Sequence, residues 1–146
     1  MKKELGYGIA FLLVFGLIVS SCSKSKSSNV TPTTTNLLGS YKLTAETGKP
    51  ENGAQYNLFD SLNACEKDDI LQFSTDSVYN YVDAGIVCSP SGDHVGTWDL
   101  VSSNSLILDG FSTYTIKSFD NKTLVLTFID LYSTPTTIFT LTLVKQ

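Results

Sequence analysis

The sequence contains no arginine, so all ten of its basic residues are lysines. Fourteen acidic residues outnumber them, the formal net charge is −4, and charged residues make up only 16% of the 146-residue chain. Domains that bind nucleic acid carry clusters of lysine and arginine that contact phosphates. Because no such cluster is present, we expect no nucleic-acid partner.

Histidine is scarce as well, since His94 is the only one. The sequence has no nucleophile elbow, no phosphate-binding glycine loop and no His-Glu zinc motif. These absences predict a protein that is not an enzyme, with no catalytic residues, no cofactor and no metal. A content of 42% hydrophobic and 11% aromatic residues excludes a fully disordered chain, and the length fits one packed domain.

Long hydrophobic runs are also missing. The apolar run Ile9–Val19 covers 11 residues, which is typical of a signal peptide and short of the ~18 residues of a transmembrane helix. Lys2 and Lys3 supply the positive charge that precedes such a run. We therefore predict a signal peptide over residues 1–21, and an anchor helix that is not removed is the alternative.

Val19-Ser20-Ser21-Cys22 resembles the lipobox of bacterial lipoproteins, in which the cysteine is lipidated and becomes the first mature residue. The resemblance implies a lipid at Cys22 that binds the membrane, whereas ordinary secretion would leave a free thiol. Ser23, in place of Asp, favours the outer membrane in the general lipoprotein pattern. Residues 22–36 are rich in Ser, Thr and Lys and predict a flexible tether. Because the tether has no acidic residue, we expect the periplasmic leaflet rather than the cell surface.

Beyond the tether, apolar and polar residues alternate between turn-forming residues, which is typical of strands. Tyr56–Ala64 is the exception, with room for one or two helical turns. The predicted strands, about eight in number, are Leu38–Glu46, Asp69–Ser74, Ser77–Val82, Val95–Val101, Leu106–Leu108, Ser112–Phe119, Thr123–Leu131 and Thr136–Val144.

Each predicted strand has one apolar face and one polar face that is rich in threonine. This all-β pattern fits a closed up-and-down barrel or a two-sheet sandwich. Short turns join most of the strands, and a closed antiparallel barrel leaves no edge strand exposed. We therefore predict an up-and-down barrel over residues 37–146.

Two similar motifs, Gly39-Ser40-Tyr41-Lys42-Leu43 and Gly96-Thr97-Trp98-Asp99-Leu100, occur with Cys65, Cys88 and the run Asp68–Phe73. Together they resemble the lipocalin-like domains of bacterial outer-membrane lipoproteins, over Leu38–Gln146. In the wider lipocalin group a glycine-x-tryptophan motif closes the base of the barrel, and an arginine near the last strand packs over the indole. Here Tyr41 replaces the tryptophan and the arginine is missing, so the resemblance is to the short bacterial family.

Cys65 and Cys88 remain once Cys22 is assigned to the lipid. In an exported protein two such cysteines favour a disulfide, which would close a loop of 23 positions near one mouth of the barrel. A metal site that adds His94 is the alternative, although the spacing matches no compact zinc pattern.

Acidic residues form one cluster along the chain, Glu66, Asp68 and Asp69. We expect a solvated turn there, and calcium binding is the alternative although the EF-hand pattern is absent. A glycosidase would need a pair of carboxylates, and the spacing of Asp83, Asp93 and Asp99 selects no pair among them.

Aromatic side chains dominate the predicted inner face. A narrow barrel favours core filling, and an aromatic-lined cavity is the alternative. The candidate ligand-binding residues are Phe73, Tyr79, Tyr81, Trp98, Tyr114 and Phe139.

Two hypotheses for function follow. In the first, a lipid-anchored envelope lipoprotein binds a small apolar or glycan-like ligand at the mouth of its barrel. In the second, the barrel is filled, and the domain is a structural or protein-interaction module that serves an envelope complex through a protein partner.

Overall fold

Segments in which apolar and polar residues alternate form strands through most of the described chain. The computed structural model describes residues 28–146, so the predicted signal peptide, the lipobox and Cys22 lie outside the described residues. The elements are α1 (Thr34–Leu37), β1 (Gly39–Pro50), β2 (Tyr56–Asn57), a 3-10 turn (Phe59–Ser61), β3 (Ile70–Phe73), β4 (Val78–Val82), β5 (His94–Ser102), β6 (Ser105–Leu108), β7 (Ser112–Phe119), β8 (Thr123–Asp130) and β9 (Thr137–Lys145).

Eight of the nine strands in residues 28–146 close an antiparallel barrel. These eight strands are β1 and β3 to β9, and each pairs with the next one along the chain. The last strand, β9, pairs with β1 from Tyr41↔Lys145 to Pro50↔Thr137 and so closes the barrel. The closed up-and-down barrel is therefore confirmed. No helix in the described part of the chain has the length and apolar character to span a membrane.

Three local predictions differ from the structure. The first strand continues to Pro50, beyond the predicted end, because its second half pairs with β9 along its whole length. The segment with predicted helical turns holds the two-residue strand β2 and only a single 3-10 turn. A third difference lies in the predicted tether, where Val30 packs against the core and donates its N–H to the Phe119 carbonyl at 2.6 Å.

At the end of the barrel next to α1, called the base here, side chains fill the interior. Tyr41, Phe73 and Trp98 form a chain of ring contacts, with centroid distances of 5.8 Å and 5.2 Å. Their polar atoms are satisfied, since Tyr41 Oη donates to the Leu37 carbonyl and Trp98 Nε1 donates to the Ser74 carbonyl, both at 3.0 Å. Buried polar groups need such partners, and burial raises the pKa of Tyr41 to about 12.

A β-bulge at Thr44 changes which residues of β1 face inward. Leu43 pairs with Leu143, but the next pairs are Ala45↔Thr142 and Glu46↔Leu141. The extra residue shifts the alternation by one position. As a result, Glu46 lies on the inner face of the barrel.

The opposite end, called the open end here, is incomplete as a sheet. β3 pairs with β1 only over Gly39–Lys42, so the second half of β1 has just β2 on that side, at Thr47 and Gly48. The segment between β2 and β3 crosses this gap, and Leu58 N–H donates to the Glu46 carbonyl at 2.9 Å. The open end is thus walled partly by loops.

Candidate functional site

A cavity of about 430 Å³ occupies the open half of the barrel. This volume lies within the range of sites for small molecules. Leucines and tyrosines form most of its wall, and four titratable groups join them. The lining residues are Tyr41, Leu43, Glu46, Leu62, Glu66, Asp69, Leu71, Tyr79, Tyr81, His94, Leu108, Tyr114, Leu126, Leu141 and Leu143.

The aromatic candidates from the sequence divide between the cavity and the packed parts of the barrel. Tyr79, Tyr81 and Tyr114 line the cavity. Phe73 and Trp98 instead belong to the packed base, as the core-filling interpretation expects. Phe139 stacks on Phe128 with ring centroids 4.9 Å apart, outside the lining. The packed base fits the core-filling interpretation, and the cavity in the open half fits the alternative of a cavity at the barrel mouth.

Asp109 organises one side of the open end. It accepts a hydrogen bond from Tyr79 Oη at 2.6 Å and from the Thr97 N–H at 3.1 Å, and His94 Nε2 lies 3.4 Å from its Oδ2. The hydrogen bond from Tyr79 is the main cause of a lowered pKa at Asp109. Burial and the same bond raise the pKa of Tyr79 well above its ordinary value. Tyr79 therefore keeps its proton and a fixed orientation.

Asp69 and Tyr81 form a second pair on the cavity wall. Tyr81 Oη donates to Asp69 Oδ2 at 2.8 Å, and burial together with this bond raises the pKa of Tyr81. Asp69 is only 6% exposed, so the predicted solvated turn is wrong at this residue. Its inward position follows the alternation of Leu71 and Phe73, a signal that was present in the sequence.

Glu46 is a charged cavity residue that the alternation in the sequence does not predict. Simple alternation with Tyr41 and Leu43 places it outside, and only the bulge at Thr44 turns it inward. Within residues 28–146 its carboxylate has no hydrogen bond or salt bridge. Burial raises the pKa of Glu46, since an apolar wall disfavours the charged form.

Two loops that wall the open end are joined covalently. Cys65 and Cys88 form a disulfide with a Cα–Cα distance of 5.3 Å, as predicted. It links the segment before β3, which contributes Leu62 and Glu66 to the cavity, to the loop between β4 and β5. With both sulfurs bonded to each other, neither is a thiolate ligand for the alternative metal site with His94.

Other acidic residues of the open end hold the backbone of the β4–β5 loop. Asp83 is buried and accepts from the Cys88 N–H at 3.0 Å and the Gly92 N–H at 2.9 Å, and these bonds lower its pKa. Asp93 accepts from the Asp83 N–H, and Asp68 accepts from the Ile86 N–H, both at 2.9 Å. These carboxylates therefore act as braces of the loop.

Comparison with known families adds the identity of the fold. The family model described as the lipocalin-like domain matches residues 37–142, which is most of the chain. The chain belongs to this family. No curated protein and no solved structure matched it. A lipocalin-like fold is typically a binding fold without enzymatic activity.

The base of the lipocalin-like domain is closed by a contact between a lysine and a tyrosine. Lys145 of the last strand lies over the Tyr41 ring, with Nζ 5.5 Å from the centroid, and donates to the Asn36 carbonyl at 3.1 Å. Lys145 and Tyr41 thus pair a cation with an aromatic ring at the base, where the resemblance to the wider lipocalin group implies an arginine and a tryptophan.

Proposed function

We propose that this lipocalin-like domain binds a small, largely apolar molecule in the cavity at the open end of the barrel. The cavity of about 430 Å³ carries the proposal, because it is large, mostly apolar and lined by a few oriented polar groups. The disulfide and the braced loop support the same function, since a preformed wall lowers the cost of ordering on binding. A binding role, without catalysis, accords with the family.

Binding of the neutral fluorophore N-phenylnaphthylamine tests this function. The full chain carrying Cys22→Ser, which takes no lipid, should enhance the fluorescence saturably, at one site. Leu141→Trp fills the cavity and should lower the affinity at least about tenfold. Val101→Trp, at an exposed residue near the end of β5 on the base side of the barrel, is the control and should bind normally. If Leu141→Trp folds cooperatively and still binds as the parent does, the cavity is not the site.

We also propose that the chain is a lipoprotein of the outer membrane, anchored through Cys22 and facing the periplasm. The lipobox, Ser23 and the tether without acidic residues support this location. Mass spectrometry of the mature protein should find a diacylglycerol on Cys22 as the first residue, and Cys22→Ser should release the protein from the membrane fraction. An intact Met1 or an unmodified thiol at Cys22 would refute the anchor.

A protein-interaction module is the second candidate function, and exposed apolar side chains favour it. Three loops of the open end carry Ile86, Val87, Phe111, Leu131 and Tyr132, of which Phe111 is 80% and Tyr132 is 99% exposed. Contiguous exposed apolar residues are frequent at interaction sites. Crosslinking in intact envelopes should capture a partner with the parent but not with Phe111→Ser/Tyr132→Ser. Equal crosslinking with both would contradict this function.

A further inference from the structure

The charges of the cavity have one sign. Glu46, Glu66 and Asp69 all line it, and none of the lining residues in the described part of the chain is a lysine. The only basic group among them is His94, which lies beside Asp109 at 3.4 Å. An apolar cavity with this lining carries a negative field toward which a cation is attracted.

Within the part of the chain that the structure describes, Asp69 and Glu46 leave carboxylate oxygens without a hydrogen-bond donor. Asp69 is 6% exposed, and while Oδ2 accepts from Tyr81, Oδ1 is buried without a partner among residues 28–146. Glu46 has neither a hydrogen bond nor a salt bridge in the described residues. A buried carboxylate oxygen without a donor, such as Asp69 Oδ1, is costly. The partly buried Glu46 carboxylate also leaves acceptor capacity for a group that enters the cavity.

Glu66 is held by its neighbour, because its Oε2 accepts from the Asn63 N–H and from Asn63 Nδ2, at 2.7 Å and 2.9 Å. It adds a third negative charge to the cavity wall. Four tyrosine rings, those of Tyr41, Tyr79, Tyr81 and Tyr114, also line the cavity. Their faces attract cations, and more strongly where water is excluded.

We propose that the ligand is a cationic amphiphile, an apolar chain or ring system that carries an amino group, with the ammonium held by Glu46 and Asp69. This inference rests on the proposed binding function and names its ligand class. The leucine wall takes the apolar body, the ammonium N–H groups donate to the open carboxylate oxygens, and the tyrosines surround the charge. A carboxylate amphiphile meets three like charges and is excluded.

Calorimetric titration of the full Cys22→Ser chain with three matched amphiphiles tests the proposal. Decylammonium, decanol and decanoate share one chain and differ in head group, and all are used at neutral pH below micelle formation. Decylammonium should bind on the order of tenfold tighter than decanol, and decanoate should bind weakest. Decanol binding as tightly as decylammonium, or decanoate binding tightest, would overturn the proposal and leave the binding function standing. No binding by any of the three would overturn both.

Variants assign the selectivity to the named residues. Glu46→Gln and Asp69→Asn should each reduce the preference for decylammonium over decanol by about threefold to tenfold, with decanol affinity unchanged. Glu51→Gln removes the same charge from an exposed position just after β1 and is the matched control. If Glu51→Gln reduces the preference as much as Glu46→Gln does, the selectivity comes from net charge alone and the proposed contacts are wrong.

Discussion

At the scale of the residue, the base of the barrel depends on a glycine that makes room for a lysine. Gly39 has a φ of +132°, and a Cβ there would lie 2.5 Å from Lys145 Cε. The Lys145 side chain crosses this position to reach the Tyr41 ring and the Asn36 carbonyl. The glycine of the Gly39-Ser40-Tyr41 motif is thus required both by the backbone conformation and by the close approach of Lys145.

Gly39→Ala should therefore destabilise the protein by about 1–3 kcal/mol from backbone strain alone, with an added cost from displaced Lys145. Gly92→Ala is the control, because a Cβ at Gly92 meets only Tyr81, at an ordinary 3.6 Å. In chemical denaturation, Gly39→Ala should lower the midpoint, and Gly92→Ala should leave the midpoint almost unchanged. Equal midpoints would contradict the role of Gly39.

Glu46 provides a second prediction at this scale. Burial raises the pKa of Glu46 in the folded state. The ionised carboxylate therefore destabilises the folded protein above the folded-state pKa, and this destabilisation disappears below the unfolded value of about 4.3. Glu46→Gln should therefore raise the free energy of unfolding of the ligand-free protein at neutral pH. The gain should shrink as the pH falls through the folded-state pKa.

Thermal unfolding followed across pH measures this difference directly. Glu51→Gln, at an exposed residue, serves as the control and should change the stability little at any pH. Tyr114, Glu66, Asp69 and His94 line the same cavity as Glu46, and they are common to parent and variant. A Glu46→Gln protein that is less stable at neutral pH would show that Glu46 makes a favourable contact.

At the scale of the element, covalent and polar contacts hold the loops of the open end in place. The disulfide, the Asp83 carboxylate and the contact of Asp68 with the Ile86 N–H all restrain the β4–β5 loop. The same disulfide restrains the segment before β3, whose residues complete the barrel where β1 and β3 separate. These loops therefore preserve the cavity wall in the absence of a ligand.

The double variant Cys65→Ser/Cys88→Ser tests this role. Loss of a crosslink across 23 positions should lower the free energy of unfolding by about 3 kcal/mol in the chain-entropy model. Denaturation of the parent with and without reductant, beside the variant, gives the measurement. Reductant should bring the parent to the level of the variant and leave the variant unchanged, so a response of the variant to reductant would contradict the assignment.

At the scale of the whole molecule, the barrel has a solid base and a hollow open half. Leu106 and Leu124 are fully buried near the base, whereas Leu43 and Leu141 line the cavity and are only partly buried. Dispersion and the hydrophobic effect act fully only where side chains are surrounded. The base therefore supplies most of the stability, and the open half is left free for binding.

Two leucine truncations on neighbouring strands test this division. Leu124→Ala should cost about 2–5 kcal/mol, because it opens a cavity in a packed region. Leu141→Ala should cost about 1 kcal/mol or less, because the side chain already faces open space. Chemical denaturation compares the two, and equal costs would show that the open half is packed in solution.

The barrel, the disulfide and the base aromatics could all be predicted from the sequence, because each depends on a local or compositional signal. Alternation with period two and short polar turns indicate antiparallel neighbours, and two cysteines in an exported chain favour a bond. Even the inward position of Asp69 follows from the alternation, because Asp69 lies two residues before Leu71, on the same face. The same alternation gives the wrong face for Glu46. The bulge at Thr44 depends on the pairing of β1 with β9, and the sequence of β1 alone does not indicate it.

By itself, therefore, the sequence determined the all-β class, the closed antiparallel order and the residues that pack the base. Only the tertiary structure decided that the open half is hollow and that its charges are all of one sign apart from His94. A cavity depends on how side chains from eight strands and two loops fill a shared volume, and no segment of the chain contains that information. For the same reason Lys145, a distant residue, could be recognised as the partner of Tyr41 only when the barrel closed.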